Sequence, residues 1–171
     1  MPIVEPEILM DGAHTMERCG VVTETMLRAV FIGLHVQGVA LEGMILKPNM
    51  VLAGTACPCR ETAEAVAEAT VACLRRSVPA AVPGIAFLSG GQTGEQASAR
   101  LNAMTFLARS PGARLPWPLT FSFGRALQHP ALEIWRGDQA NVPAAQKALS
   151  HRARCNGAAL RGEYATTMET I

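Results

Sequence analysis

Several features that would indicate a particular class of protein are missing from this sequence. The formal net charge is only +1 over 171 residues, so the chain lacks the strongly basic surface of a nucleic-acid-binding protein. No apolar run approaches the ~20 residues that a membrane-spanning helix needs. Residues 1–5 have neither the basic start nor the long apolar stretch of a secretion signal. We therefore expect a cytoplasmic protein with no nucleic-acid or membrane partner.

The cysteines and histidines also lack a recognisable disulfide or metal-binding pattern. The five cysteines are scattered and odd in number, which in a cytoplasmic protein indicates reduced thiols. Cys57 and Cys59 are separated by one residue, too few for the usual zinc spacing. The four histidines are dispersed through predicted loops and helices. The sequence therefore predicts no metal site.

What the sequence does contain is an alternation of strand and helix patterns. The predicted strands span residues 3–10, 39–46, 84–88 and 119–123. The predicted helices span residues 16–36, 61–78, 95–107, 126–135 and 142–160, with a loop over residues 109–115. Strand starts that lie ~35–45 residues apart fit parallel strands joined by crossover helices. We predict one α/β domain over residues 1–171, with four strand–helix units and additional C-terminal helices.

The ends of all four predicted strands carry chemically useful groups. Glu5 and Glu7 belong to the first, Lys47 to the second, residues 89–91 to the third, and Ser122 and Arg125 to the fourth. Ligands of parallel α/β folds bind at the carboxyl ends of the strands. We therefore expect these groups to share one rim of the sheet.

The first candidate groups are a lysine and two carboxylates. Lys47 ends an apolar strand, where burial favours the neutral amine, a nucleophile able to form a Schiff base. Alternatively, its stem packs on the sheet and its ammonium reaches water. Glu5 and Glu7 are two residues apart on an extended segment, so both can face the rim. They can act as a general acid and base, or form salt bridges with Lys47 or Arg125.

The second group of candidates resembles an anion site. Ser89, Gly90 and Gly91 lie between a strand and a helix, where glycines allow a ligand to approach the backbone amides closely. The alternative is an ordinary strand-to-helix turn. The next strand end has the hydroxyl of Ser122, Gly124 and the guanidinium of Arg125, a suitable clamp for phosphate. Together these loops predict a phosphate site like that of many barrels.

Several segments, in order along nearly the whole chain, resemble the class I fructose-bisphosphate aldolases. They are Pro2-Ile3-Val4-Glu5-Pro6-Glu7-Ile8-Leu9, Leu41-Glu42-Gly43, Leu46-Lys47-Pro48-Asn49-Met50, Leu74-Arg75-Arg76-Ser77-Val78-Pro79, Phe87-Leu88-Ser89-Gly90-Gly91-Gln92, Leu101-Asn102-Ala103 and Phe121-Ser122-Phe123-Gly124-Arg125-Ala126-Leu127-Gln128. The resemblance implies reversible cleavage of fructose 1,6-bisphosphate into two triose phosphates, without a cofactor.

The resemblance also assigns roles to individual residues. It implies that Lys47 is the Schiff-base lysine, that Glu5 is the acid/base carboxylate and that Glu7 is a neighbouring active-site carboxylate. It implies a substrate-phosphate cradle, made of Ser89, Gly90, Gly91, Ser122, Gly124 and Arg125.

The family's barrel has eight strands, and this chain matches its last four, so the resemblance implies a C-terminal half of a TIM-type barrel. A closed eight-stranded barrel needs ~200 residues or more. The cleavage aspartate belongs to the family's earlier half. We therefore expect a homo-oligomer or a complementary N-terminal half as partner, or else an incomplete half-barrel that only binds phosphate or assembles. Residues 162–171 lack the family's long terminal arm and resemble bacterial members.

Overall fold

The computed structural model describes residues 1–59, 61–110 and 114–170, and it contains a parallel four-stranded sheet. The strands are β1 (Ile3–Val4), β2 (Ile45–Leu46), β3 (Ile85–Phe87) and β4 (Leu119–Phe121). Their spatial order is the same as their order in the sequence, and every neighbouring pair is parallel. The predicted α/β class and the four strand–helix units are confirmed.

In the described ranges, five α-helices follow or connect the strands. They are α1 (Met16–Val36), α2 (Ala63–Ser77), α3 (Gly94–Arg109), α4 (Arg125–Trp135) and α5 (Val142–Leu160). The hydroxyls of Thr15, Thr62 and Thr93 cap α1, α2 and α3 by accepting hydrogen bonds from first-turn amides, which satisfies donors that have no partner within the helix. The predicted bounds of α1 and α5 are confirmed. Residues 111–113 of the predicted loop lie outside the described residues.

Two strands are much shorter than predicted. Residues 5–10 leave the sheet after β1: Pro6 has no amide hydrogen for a ladder, and the Ile8 amide donates to Asn49 Oδ1. Residues 39–44 are not a strand either, because the turn Leu41–Gly43 is a 3₁₀ helix. Pairing between β1 and β2 begins with the Ile45 amide, which donates to the Pro2 carbonyl.

The helices cover one face of the sheet. Leu46, Ile85 and Phe87 are fully buried and belong to one hydrophobic cluster with Leu27 of α1 and Leu101 of α3. Right-handed crossovers between neighbouring parallel strands place the helices on the same side, and alternate strand residues therefore face the other way. That other face is open at its edges: Ile3 is 57% exposed, and Glu5 and Thr120 are exposed.

Helix α1 contradicts the expectation that no segment is long and apolar enough to cross a membrane. By length and composition it qualifies, with a mean hydropathy of 1.4 over 18 residues. Its residues Cys19, Thr23, Leu27 and Phe31 are buried at four-residue spacing, and three of them belong to the hydrophobic cluster. These four residues place one face of α1 in the core, whereas other apolar residues of the helix, Val21, Ile32 and Val36, are exposed.

Candidate active site

The carboxyl ends of the four strands form one continuous rim. The Lys47 amide donates to the Val4 carbonyl at 2.8 Å, and the Ser122 amide donates to the Phe87 carbonyl at 2.8 Å. The Leu88 amide reaches the Pro48 carbonyl at 3.1 Å. Pairing thus continues past the strands into the segments with the candidate side chains, and it places Glu5 beside Lys47.

The side chains of Lys47 and Glu5 form an ion pair. The distance from Lys47 Nζ to Glu5 Oε1 is 2.8 Å, and the side chains are 18% and 46% exposed respectively. The salt bridge that the sequence left open as an alternative is therefore present. It brings an amine and a possible proton acceptor together on the rim, with water able to reach the carboxylate.

Glu7 and Arg125 stand apart from this pair. Glu7 is exposed, two residues beyond Glu5 on the same extended segment. Among the ion pairs between described residues, none involves Glu7 or Arg125. The alternative in which these side chains form rim salt bridges therefore holds only for Glu5 with Lys47.

A residue that the sequence did not single out connects the segment that contains Glu5 to the segment that contains Lys47. Asn49 is buried, and its Oδ1 accepts from the Ile8 amide at 3.1 Å. Its Nδ2 donates to Thr23 Oγ1 at 3.1 Å and to the Met50 carbonyl at 3.0 Å. The only indication of this role in the sequence was that a polar residue directly follows Lys47 and Pro48.

The loop after β3 is a tight turn that requires its glycines. Gly90 and Gly91 have φ angles of +54° and +79°, a region where a Cβ atom is strained. The Gln92 amide closes the turn by donating to the Ser89 carbonyl at 3.0 Å. Gln92 Nε2 donates to the same carbonyl at 2.8 Å. These two hydrogen bonds to the Ser89 carbonyl therefore fix the conformation of the turn, which lies at the carboxyl rim of the sheet.

The loop after β4 leads into α4. Gly124 is the residue before this helix, and no side chain of the described residues caps its first-turn amides. Arg125, at the first helical position, is exposed. A cation at a helix N-terminus is electrostatically unfavourable, but free amides beside a guanidinium form a good anion site.

The two glycine-containing loops are neighbours. A Cβ atom on Gly94, at the start of α3, would lie 2.7 Å from the Ala126 carbonyl oxygen in the first turn of α4. Only glycine allows this approach of the two helix N-termini. The structure therefore brings Ser89, Gly90 and Gly91 to the same part of the rim as residues 122–125.

The Gly90–Gly91 turn also lines a cavity of about 250 Å³. Arg100 from α3 lines it as well, and its Nη1 donates to Gln92 Oε1 at 2.8 Å. Burial lowers the pKa of the Arg100 guanidinium. An arginine within an amphipathic helix gave no sequence signal, since only the fold places it against the turn.

Comparison with known proteins identifies relatives over the whole chain. The family model for class-I fructose-bisphosphate aldolase matches residues 1–171. Fructose-bisphosphate aldolase B of Gallus gallus is 55% identical over 170 residues, which are 99% of this chain and 46% of that protein. Fructose-bisphosphate aldolase of Dictyostelium discoideum is 52% identical over 164 residues, or 96% of this chain and 44% of that protein.

A solved structure agrees with these relatives. It is a ternary co-crystal structure of fructose-bisphosphate aldolase from Plasmodium falciparum in complex with TRAP and a small-molecule inhibitor. The TM-score is 0.89 at 50% identity, covering 96% of this chain and 46% of that chain. The chain thus spans about half the length of the relatives it matches, as predicted for half of a TIM-type barrel. It belongs to the class I fructose-bisphosphate aldolase family.

Proposed function

We propose that this chain supplies the Schiff-base centre of a cytoplasmic fructose-bisphosphate aldolase. The reaction is the reversible cleavage of fructose 1,6-bisphosphate to dihydroxyacetone phosphate and glyceraldehyde 3-phosphate. The observation that carries the proposal is the 2.8 Å contact between Lys47 Nζ and Glu5 Oε1 at the carboxyl rim, in a chain of this family.

The first chemical steps need an amine and a proton shuttle. Glu5 accepts a proton from the Lys47 ammonium, and the free amine adds to the ketose carbonyl carbon to form a carbinolamine. Glu5 then returns a proton to the carbinolamine hydroxyl, which leaves as water, and a protonated imine forms on Lys47. Glu5 suits both transfers because it contacts Nζ and is partly open to solvent.

The imine then serves as an electron sink. When the carbon–carbon bond breaks, its electron pair moves towards the imine nitrogen and gives an enamine. The neighbouring hydroxyl gives its proton to the cleavage aspartate, which the resemblance places in the family's earlier half, and becomes the aldehyde of the departing triose phosphate. Protonation of the enamine and hydrolysis release the second triose phosphate and restore Lys47. Glu7, exposed on the same segment, is proposed as a nearby carboxylate that supports these steps.

The substrate phosphate binds between the two glycine-containing loops. Backbone amides of Ser89, Gly90 and Gly91 face it from one side, and the uncapped start of α4 with Gly124, Ser122 and Arg125 faces it from the other. The close approach of Gly94 to Ala126 supports this placement, and so does the start of α4, which no side chain in the described part of the chain caps.

Complete turnover requires groups beyond these residues. The resemblance assigns the cleavage aspartate to the family's earlier half, and no position in residues 1–171 matches it. The open sheet face, where Ile3 is 57% exposed, and the two strand edges β1 and β4 are suited to a complementary half-barrel or a second copy. We propose such an assembly as the active form.

Borohydride trapping tests the proposal directly. The sequence has only two lysines, Lys47 and Lys147, and Lys147 is an exposed residue of α5. Reduction with dihydroxyacetone phosphate should attach one triose phosphate to Lys47, as read by peptide mass spectrometry. The Lys47→Met variant should lose the adduct and the matched Lys147→Met variant should keep it. An adduct that maps elsewhere, or none at all, refutes the Schiff-base role.

The second candidate function is a half-barrel that binds phosphate or assembles without catalysing cleavage, and the same open sheet face favours it. The two candidates differ in what happens when the complementary half of an aldolase barrel is added. Restored cleavage of fructose 1,6-bisphosphate supports the enzyme, whereas assembly without activity supports the second candidate.

A further inference from the structure

Far along the chain from the rim, three potential metal ligands converge, although the sequence predicted no metal site. His151 and Cys155 are one helical turn apart on α5, and Glu169 belongs to the C-terminal 3₁₀ helix Thr166–Glu169. His151 Nε2 lies 3.6 Å from Cys155 Sγ and 3.6 Å from Glu169 Oε2. All three ligand atoms lie within 4.8 Å of one another.

The geometry distinguishes this cluster from a catalytic triad. In a triad, one ring nitrogen of histidine faces the nucleophile and the other faces the orienting carboxylate. Here the same nitrogen, Nε2 of His151, is nearest to both the Cys155 sulfur and the Glu169 oxygen. Three donor atoms within 4.8 Å of one another are close enough to bind one metal ion as three protein ligands.

The cluster is enclosed and its carboxylate is held in place. Cys155 is fully buried and His151 is nearly so. The Arg152 guanidinium donates to Glu169 Oε2 and, at 2.8 Å, to Ser98 Oγ, and the Tyr164 hydroxyl donates to Glu169 Oε1 at 2.7 Å. Outer hydrogen bonds of this kind orient ligating carboxylates in metal sites.

We propose that His151, Cys155 and Glu169 bind a divalent cation with affinity for thiolate and imidazole, of the Zn²⁺ type, with water as the fourth ligand. Softer ligands such as thiolate and imidazole disfavour Mg²⁺ and Ca²⁺. On binding, the Cys155 thiol gives its proton to solvent and the thiolate takes the cation. Glu169, whose side chain is 20% exposed, provides the route from solvent.

Charge explains why the cation is tolerated beside Arg152. Glu169 forms an ion pair with Arg152 through Oε2 and accepts the Tyr164 hydroxyl at Oε1. The carboxylate therefore brings one negative charge to the site. With the Cys155 thiolate it balances a divalent ion, and Arg152 keeps its hydrogen bond to the carboxylate.

The consequence for the fold is a cross-link. The cation joins α5 to the 3₁₀ helix that follows it, through ligands from both. A ligand that binds only the folded state raises the free energy of unfolding by mass action. We therefore expect stoichiometric Zn²⁺ to raise the melting temperature of the full chain and the addition of a chelator to reverse the rise.

Cobalt titration of the full 171-residue chain tests the site. The chain should bind one Co²⁺ and develop thiolate-to-cobalt absorption in the near ultraviolet. Because even outer-shell changes weaken metal sites by about tenfold or more, Cys155→Ser and His151→Gln should each weaken binding at least as much. Circular dichroism melting shows whether each variant folds.

The matched control removes two thiols outside the proposed site. Cys57 and Cys59 lie close together, with Cys59 exposed, and the double variant C57S/C59S should bind Co²⁺ with unchanged absorption. Binding that survives in folded Cys155→Ser but disappears in C57S/C59S would overturn the proposal. So would an absence of saturable binding, or a metal spectrum without a sulfur ligand.

Discussion

Asn49 Oδ1 accepts a hydrogen bond from the Ile8 amide at 3.1 Å, and this contact joins the segment that contains Glu5 to the segment that contains Lys47. Nδ2 of the Asn49 side chain donates to Thr23 Oγ1 and to the Met50 carbonyl. The position of the ion pair on the rim therefore depends on a buried side chain that does not itself touch the amine.

We expect Asn49→Ala to slow borohydride trapping at Lys47 as well as to destabilise the fold. Leaving the Ile8 amide and the Thr23 hydroxyl without their buried partner costs about 1–3 kcal/mol. The control is Thr23→Val, which removes one hydrogen bond of Asn49 but keeps the bond to Ile8. Equal trapping rates in the two folded variants would show that Asn49 has no positioning role.

Glu5 and Glu7 should differ sharply when changed to glutamine. Glu5→Gln removes the proton acceptor 2.8 Å from Lys47 Nζ, so we expect trapping with dihydroxyacetone phosphate to slow by about 10²-fold or more. Glu7→Gln, in which no ion pair between described residues is lost, should have a much smaller effect. The measurement is the initial rate of adduct formation, and similar rates in both variants contradict the assignment of Glu5.

Arg125→Ala should weaken phosphate binding and leave the fold intact or slightly more stable. The guanidinium stands at the N-terminus of α4, where a cation opposes the helix dipole by about 0.3–1 kcal/mol. Removing it therefore relieves a small repulsion while it removes an anion ligand. Calorimetric titration with dihydroxyacetone phosphate and thermal melting measure the two effects separately.

The control for Arg125 is Arg136→Ala, an exposed arginine after α4, which should not change phosphate affinity. Loss of stability in Arg125→Ala together with unchanged affinity would mean that the guanidinium has a structural role instead.

Alkaline pH should destabilise the protein through Cys73. Burial raises the pKa of this thiol from 9.0 to about 11, so the folded state holds the proton where the unfolded chain has lost it. The contribution of the neutral thiol to the free energy of unfolding is fully present below pH 9 and is lost as the pH rises towards 11. With allowance for solvent screening, we expect a loss of at most about 2 kcal/mol.

The check is the melting temperature of the wild type and of Cys73→Ala between pH 8 and pH 11. The wild type should lose more stability over this range than the variant. Cys59→Ala, at an exposed thiol, is the matched control. Parallel curves for all three proteins would exclude Cys73 as the cause.

The sequence alone predicted the elements whose signals are local. The apolar stripe of α1, with its threonine cap, and the long pattern of α5 predicted the bounds of both helices, because helical periodicity and capping act over a few residues. The number and order of the strands were predicted, but their lengths were not. A strand extends only as far as a neighbouring strand provides backbone hydrogen-bond partners. Residues 39–44 were therefore predicted as strand, although pairing begins only at Ile45, whose amide donates to the Pro2 carbonyl.

Which groups meet was decided by the tertiary structure. Periodicity predicted that Lys47, Glu5 and the glycine-containing loops would share a rim, since parallel strands place their carboxyl ends at one edge. Only the register between strands brought Lys47 to Glu5 and left Glu7 and Arg125 without ion pairs among the described residues. The convergence of His151 and Cys155 with Glu169 had no sequence signal, because it depends on how the chain returns over α5 after that helix ends.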